Sequence, residues 1–483
     1  MMGVTQLIAF VSAMIQIRGL VGENGILPVK RLVAQIKRSS DNGLFEWPSI
    51  LYFNPSDSSL QSLCLLGAVT SAFIITGLVQ KGALFLNTLL YLSLIHAGQV
   101  FFNHPWDSLL VEASVVAFFL AGKNLTDRYH LAIVPNQAGF WLARVLLFKV
   151  LFQAGLAKIL NADTSWTSLT AFQSHFLTQP LPSPLSWYAS QLPPSLLKLA
   201  TAFTLVMELF FSWLILIPSS LGPWAGMIFA PMVGLQILMM LTGHCGFFYL
   251  ITLSLSLMLI DDDLFHEWIP KGLFWRLYVH PYAGEYLSRK SFLAPIYLIC
   301  TVILLGLNIL VQMDTPLPPR LKSHYLGAQN IAGRFRLINN YDKDLIIPQA
   351  RREIVVEGSN EGSSWREFHF YYKVGDPQKR PPWTLFFHLP RLDWQIWSAA
   401  QDPEHRPVWI KNLFFRLLEG SYDVHLLLDL SEEHTPPKFL RAILYDYQWS
   451  VPTLKKKGIW WIRSPMGSYQ NMTTLGPLEA SPK

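Results

Sequence analysis

At 483 residues, 51% hydrophobic and only 14% charged, the chain is too apolar for an ordinary soluble protein, in which about a quarter of residues are charged. Its net charge of +6 comes without a Gly-rich phosphate loop or a basic-aromatic block, which argues against a nucleic-acid partner. Three scattered cysteines, Cys64, Cys245 and Cys300, have no metal-ligand spacing and argue against a disulfide framework.

Residues 3–19 form a mildly apolar run that carries Arg18 at its end and is followed by Lys30, Arg31, Lys37 and Arg38. Positive charge after the run, without a small-residue cleavage site, favours a short or N-terminally clipped membrane helix over a signal peptide. Asn24, Gly25 and Pro28 mark a turn, and 29–38 reads as a basic surface helix at the membrane face. Apolar runs then follow at 60–79, 83–102, 107–122, 141–160, 199–218, 224–242, 246–260 and 292–312. Each approaches the roughly 20 residues that a bilayer span needs, the third and seventh falling short. The expectation is a polytopic α-helical membrane domain of about eight or nine helices over 1–313.

The Pro-rich stretch after Asp314 reads as a linker, 314–330. Charges then become frequent and strand-like runs appear at 335–338, 353–356, 368–374, 384–387 and 442–448. Two of these flank a Gly/Ser/Asn loop as a hairpin, and 393–399 and 408–418 look helical. The region 331–465 is expected to be a mainly β soluble domain, and 466–483 a disordered tail.

Charge inside lipid is costly and usually has a function or a partner. Lys149 lies mid-helix and shares a face with Gln153 at i, i+4. Glu112 and Glu208 are its candidate partners, either lining a binding cavity or tying helices together. Lys158 lies near the helix end, where it can snorkel to the interface. A desolvated lysine can also serve as a base, and Asp163 and His175 follow in the same loop. Trp166, His175, Thr178, Gln179 and Pro180 lead into a proline run that stiffens the loop, either as a client-binding edge or as a cap packed on the bundle. Asp107 beside Trp106 fits an interfacial helix start, and Glu112 lies deeper. His96 and His244 read as helix-contact residues, and Asp261 to Asp263 as a solvated helix end. Asn124 with Thr126, and Asn471 with Thr473, fit the N-glycosylation pattern. Arg391, Asp393 and Trp394 suit either a protein interface or a domain core. No nucleophile elbow or zinc-protease motif supports a hydrolase, and neither a metal nor a cofactor is expected.

The loop residues Ala154, Gly155, Lys158, Asp163, Trp166, Thr170, His175, Thr178, Gln179, Pro180 and Trp187 together resemble the signature loop of lipase maturation factors. Trp106, Asp107 and Glu112 are similar to an upstream block of that family. Gly358 to Asn360, Lys373 to Asp376, Arg391 to Trp394, Arg441 to Tyr447 and Trp460 with Trp461 resemble blocks of its soluble domain. Where the family carries cysteines beside the loop tryptophan, this chain has Ser165 and Ala171; Lys149 replaces an arginine and Leu177 a glutamate. The resemblance implies a multi-pass membrane protein of the endoplasmic reticulum in a eukaryote, or of the cytoplasmic membrane in a bacterium, with the later domain extracytoplasmic. It implies chaperone-like help in folding and maturation of client lipases or other exported proteins, without a reaction of its own. A shorter string, from Ala154 to Asp163 with Trp166 and His175, is similar to the membrane region of vitamin K-dependent γ-carboxylases. That likeness implies the alternative of a membrane enzyme with Lys158 as base, assisted by His175 and Asp163.

Overall fold

A computed structural model describes residues 1–39, 42–121, 136–161, 163–218, 224–260, 292–341, 347–384, 387–430 and 435–475. The chain begins with α1 (Met2–Val21), the basic surface helix α2 (Val29–Ser39), α3 (Asp57–Thr76), α4 (Gln80–Gly98), α5 (Pro105–Leu120) and α6 (Gln137–Leu160). A loop bearing α7 (Ala171–Thr178) and α8 (Pro184–Ser190) leads to α9 (Pro194–Leu209), α10 (Trp224–Thr242), α11 (Phe248–Ser256) and α12 (Leu293–Gln312). Among the described residues, six helices are long and apolar enough to cross a membrane: α1, α3, α4, α6, α9 with its extension to Leu216, and α12. Helices α10 and α11 are apolar but shorter.

The boundaries follow local chemistry. Ser56 caps α3 by accepting from the Ser59 amide, and Gly77 closes it at a φ of 79°, a backbone state that favours glycine. Pro105 opens α5, where its missing N–H costs nothing. Asn136 caps α6 by accepting from Ala138 N.

Most of the expected linker is helical, as α13 (Pro319–Arg334). The later domain holds β1 (Arg351–Ser359), β2 (Arg366–Phe368), α14 (Arg391–Gln401), α15 (Val408–Leu418), α16 (Tyr422–His425), β3 (Phe439–Trp449) and β4 (Trp461–Thr473). The strands form one antiparallel sheet in the order β2-β1-β3-β4, with Val356 opposite Phe368, Ile354 opposite Leu444 and Trp449 opposite Trp461. The expected hairpin is the β1–β2 pair, and the expected helices are α14 and α15.

Several expectations need correction. The domain is a small sheet covered by helices, not a mainly β fold, because the apolar faces of α14 and α15 supply much of its core. The run 335–338 is no strand; it turns into the membrane domain. Of 368–374 only Phe368 lies in a strand, with Phe370 in an isolated bridge to Leu428. Residues 385 and 386 lie outside the described residues. The tail expected from 466 is ordered through Thr473, because β4 pairs along the whole of β3.

One contiguous buried apolar cluster runs from α1 through α4, α5 and α6 into α14, α15 and β3, including Phe10, Leu109, Leu146, Leu392, Leu413 and Leu440. The two domains therefore share a core. At Gly19 a Cβ would come within 2.3 Å of the Asp423 carbonyl oxygen, so only glycine lets α16 approach α1 this closely.

Candidate functional site

The residues singled out in the sequence gather at the seam between the domains. Asp107, in the first turn of α5, meets Arg391 at the start of α14. Arg391 Nη2 donates to Asp107 Oδ1 at 2.7 Å and Nη1 to Oδ2 at 2.9 Å, a two-point fork. Nη1 also donates to the Phe101 carbonyl at 2.7 Å, and the guanidinium carbon lies 3.4 Å from the Phe102 ring centre. Tyr91 donates its hydroxyl to Asp107, and the Arg391 amide donates to Gln16 Oε1 at 2.9 Å. Both side chains are excluded from solvent, at 1% and 0% exposure. Trp394 packs edge-on against His104 and Trp106. Asp393 instead serves its own domain, accepting from the amides of Tyr372 and Lys373 at 2.8 Å each. Burial pushes its carboxyl up to about 6, against the pull of those amides and Lys373. Of the two readings of these residues, the protein interface is corrected to one within the chain, served by Arg391 and Trp394, while Asp393 belongs to the core of its own domain.

A second tie lies deeper. Lys149 of α6 is ion-paired with Glu112 of α5, both buried. The free oxygen of that carboxylate, Oε2, accepts from the later domain's approach segment: Asn339 N at 3.2 Å, Asn339 Nδ2 at 3.1 Å and the Tyr341 hydroxyl at 2.7 Å. Gln153, on the same face as Lys149, accepts from Tyr341 N at 3.3 Å. Irregular backbone at this depth is tolerable because protein side chains satisfy its polar groups. Glu208, expected as an alternative partner of Lys149, binds Lys158 instead.

Lys158 Nζ donates to both oxygens of Glu208, 2.6 Å to Oε2, and lies 4.6 Å from the Trp166 ring centre. Gly155 permits that contact, since a Cβ there would lie 2.8 Å from Glu208 Cβ. His175 is half-buried against Phe172 and Phe176, and desolvation first, then Lys158, holds its pKa down at about 4. Asp163 turns away from both: one oxygen caps Ser165 N and the other accepts from Ile347 N, each at 2.9 Å. Lys158 and His175 are thus neighbours, and Asp163 does not join them.

The rest of the loop is gripped by β1. Arg351 Nη1 donates to the carbonyls of Leu177 and Gln179 at 2.9 and 2.6 Å, and Nη2 to Pro180 O at 3.0 Å. Glu353 and Lys373 complete a buried charge cluster behind it. Gln179 donates to Ser186 Oγ and Thr242 O at 2.8 Å each, while Thr178 bonds back to Ser174 O. Trp166, Thr178, Gln179 and Pro180 are all buried, so the open client-binding edge is corrected to a packed strap.

Sequence reasoning missed Gln16, Asn339, Tyr341, Arg351 and Glu353. Only the last two left a signal: charges at i, i+2 share one strand face at the head of the apolar run 354–356. His96 bonds Arg334 O at 2.9 Å, and His244 accepts from Gly246 N at 3.2 Å. Asn471 lies on β4 and is exposed, whereas Asn124, Thr126 and Asp261 to Asp263 fall outside the described residues. Among the described residues, no three of His, Cys, Asp and Glu are grouped to hold a metal ion. Chemically, the arrangement can lock domains together.

Residues 1–267 match the family model described as lipase maturation factor transmembrane domain, and residues 337–471 that described as lipase maturation factor C-terminal domain. The chain is 28% identical to lipase maturation factor 2 of Gallus gallus, over 97% of this chain and 80% of the relative. It is 28% identical to lipase maturation factor 2 of Homo sapiens, over 97% and 81%. It is 26% identical to lipase maturation factor 1 of Mus musculus, over 96% and 84%. No solved structure matches it. With its six crossing-length helices, the matched architecture is that of an integral, multi-pass membrane protein.

Proposed function

The chain belongs to the lipase maturation factor family, and from that premise we propose that it assists the folding and assembly of exported lipases while anchored in a membrane. The reading extends to the endoplasmic reticulum membrane in a eukaryote, or the cytoplasmic membrane in a bacterium, with the C-terminal domain on the extracytoplasmic side facing its clients. The observation that carries it is the family match over both domains, together with the use that the motif residues find. Asp107, Glu112, Lys149, Gln153, Gln179, Pro180 and Arg391 hold the two domains as one body. Such a body suits presentation of a surface to a client more than turnover of a substrate. The carboxylase-like alternative draws no support from these relatives, and Lys158 is occupied by both oxygens of Glu208.

The test is a secreted lipase expressed in cells with and without this chain, read as lipase specific activity and dimer fraction in the medium. Removal of the chain, or of residues 315–483, should cut active lipase several-fold at unchanged lipase synthesis. Equal secretion of active dimer in all cells would sink the proposal.

A further inference from the structure

The C-terminal domain makes a further contact with the membrane domain, apart from the ties described above. Between β3 and β4 the chain forms a short lobe with a single helical turn, Pro452–Lys455, followed by Lys456, Lys457 and Gly458. Trp187 of α8 fixes this lobe by donating its indole N–H to Ser450 O at 2.9 Å. Lys455 Nζ lies over three rings, 4.0 Å from Trp187, 3.6 Å from Tyr188 and 4.9 Å from Trp460. Lys456 and Lys457 are exposed and turn to solvent.

The position of α8 gives the lobe its level. Helix α9, one of the six crossing-length helices, starts only a few residues after Tyr188. Its exposed face carries Leu196, Leu199, Phe203 and Val206 at helical spacing, with Phe210 just beyond its end, an apolar stripe of the kind that faces lipid tails on a membrane-crossing helix. Leu192 and the half-exposed Tyr188 continue that stripe outward to the lobe. Lys198 is exposed in the early turns of α9. Aromatic rings whose apolar bodies lie below and whose polar tips lie above belong at the headgroup level. Lysines just above them meet lipid phosphates.

We propose that the 451–458 lobe is a binding surface for anionic phospholipid headgroups, with Lys456, Lys457 and Lys198 as phosphate contacts, Tyr188 and Trp460 as the interfacial aromatics, and the buried Trp187 as the lobe's anchor. Lys455 is held on the rings and positions the lobe. The C-terminal domain is thereby seated on the bilayer itself as well as on the membrane helices. The inference is independent of the client and of the maturation role.

Full-length protein in mixed phosphatidylcholine and phosphatidylglycerol nanodiscs is released into the gas phase, and the retained lipids are counted by native mass spectrometry. The wild type should retain phosphatidylglycerol in excess of its share. Each surface lysine is worth roughly a fivefold preference, so K456Q/K457Q should lower the enrichment by about tenfold or more. K411Q/K438Q, which removes the same charge from exposed positions on α15 and before β3, should leave it within about twofold. Both pairs are exposed, so folding is checked by an unchanged melting temperature. Equal enrichment in K456Q/K457Q and wild type overturns the proposal, as does equal loss in both variants. A third arm adds inorganic phosphate to the wild type. Release of the bound lipid at millimolar phosphate would mean a simple anion site, and would overturn the headgroup assignment too.

Discussion

Lys149 and Lys158 sit on one helix, α6, and each meets a glutamate from a neighbouring helix, yet the two pairs do different things. The Lys149–Glu112 pair is sealed, and its carboxylate has one oxygen left for the C-terminal segment, through Asn339 and Tyr341. Lys158 takes both oxygens of Glu208 and rests on Trp166, and among the described hydrogen bonds none reaches that carboxylate from the other domain. The first pair is a junction between domains, and the second a brace within one. The difference lies in how a buried carboxylate distributes its acceptor sites. A buried ion pair is itself weak evidence for stability, because desolvation offsets the attraction. Its worth here is in specifying which segment docks where.

The comparison can be broken hardest at the outer junction. Arg391→Ala leaves Asp107 buried with only the Tyr91 hydroxyl, and breaking a buried pair from one side costs about 3–5 kcal/mol. The expected outcome is a C-terminal domain that proteases release from the membrane domain, with a clear fall in melting temperature. The double change Asp107→Leu with Arg391→Met should recover most of that loss. Unchanged proteolysis in Arg391→Ala would show that the shared apolar core alone holds the seam.

Next in size is the contrast between the lysines. Lys149→Met should cost about 3 kcal/mol and raise amide exchange across 337–341, because Glu112 loses its counter-ion. Lys158→Met should cost less, about 1–2 kcal/mol, since its pair lies near the helix end with side chains 8% and 12% exposed. Exchange at 337–341 should not change. Equal exchange in the two variants would erase the distinction between junction and brace.

A narrower effect, confined to one pH window, concerns a carboxyl paired chiefly with backbone. Asp393 has its pKa raised to about 6 by burial, so the folded state holds that proton more tightly than the unfolded chain does. Its contribution to stability is full below about pH 4 and is lost as pH rises through 6, on the order of 3 kcal/mol in all. Asp393→Asn keeps an acceptor oxygen for Tyr372 and Lys373 and should flatten the melting-temperature profile between pH 4 and 6. A profile as steep as the wild type's would place the titration elsewhere.

Much of this was legible in the sequence. Hydropathy outlined the membrane helices, and Gly155, Lys158 and Trp166 stood out as a charged helix end. The carboxylates Glu112 and Glu208 were visible as candidates, but their assignment was not, since helix order in the bundle decides which of them faces Lys149. Asp107 reads as the start of a helix at the membrane interface and Arg391 as a protein-interface or core residue, and nothing local says that they meet. Tyr341 carries no pattern at all; its importance comes wholly from where α13 delivers it. Strand β4 was lost because it is mostly exposed and lacks the apolar alternation that marks a half-buried strand.

The fork between Asp107 and Arg391 also has a consequence for how the chain is made. Lys149 emerges 37 residues after Glu112, so the ribosome supplies that counter-ion within seconds. Arg391 emerges 284 residues after Asp107. At roughly 5–20 residues per second, a carboxylate at the membrane surface waits tens of seconds for its cation. During synthesis the half-made protein is itself an unfinished client, open at the place where its own last domain must land.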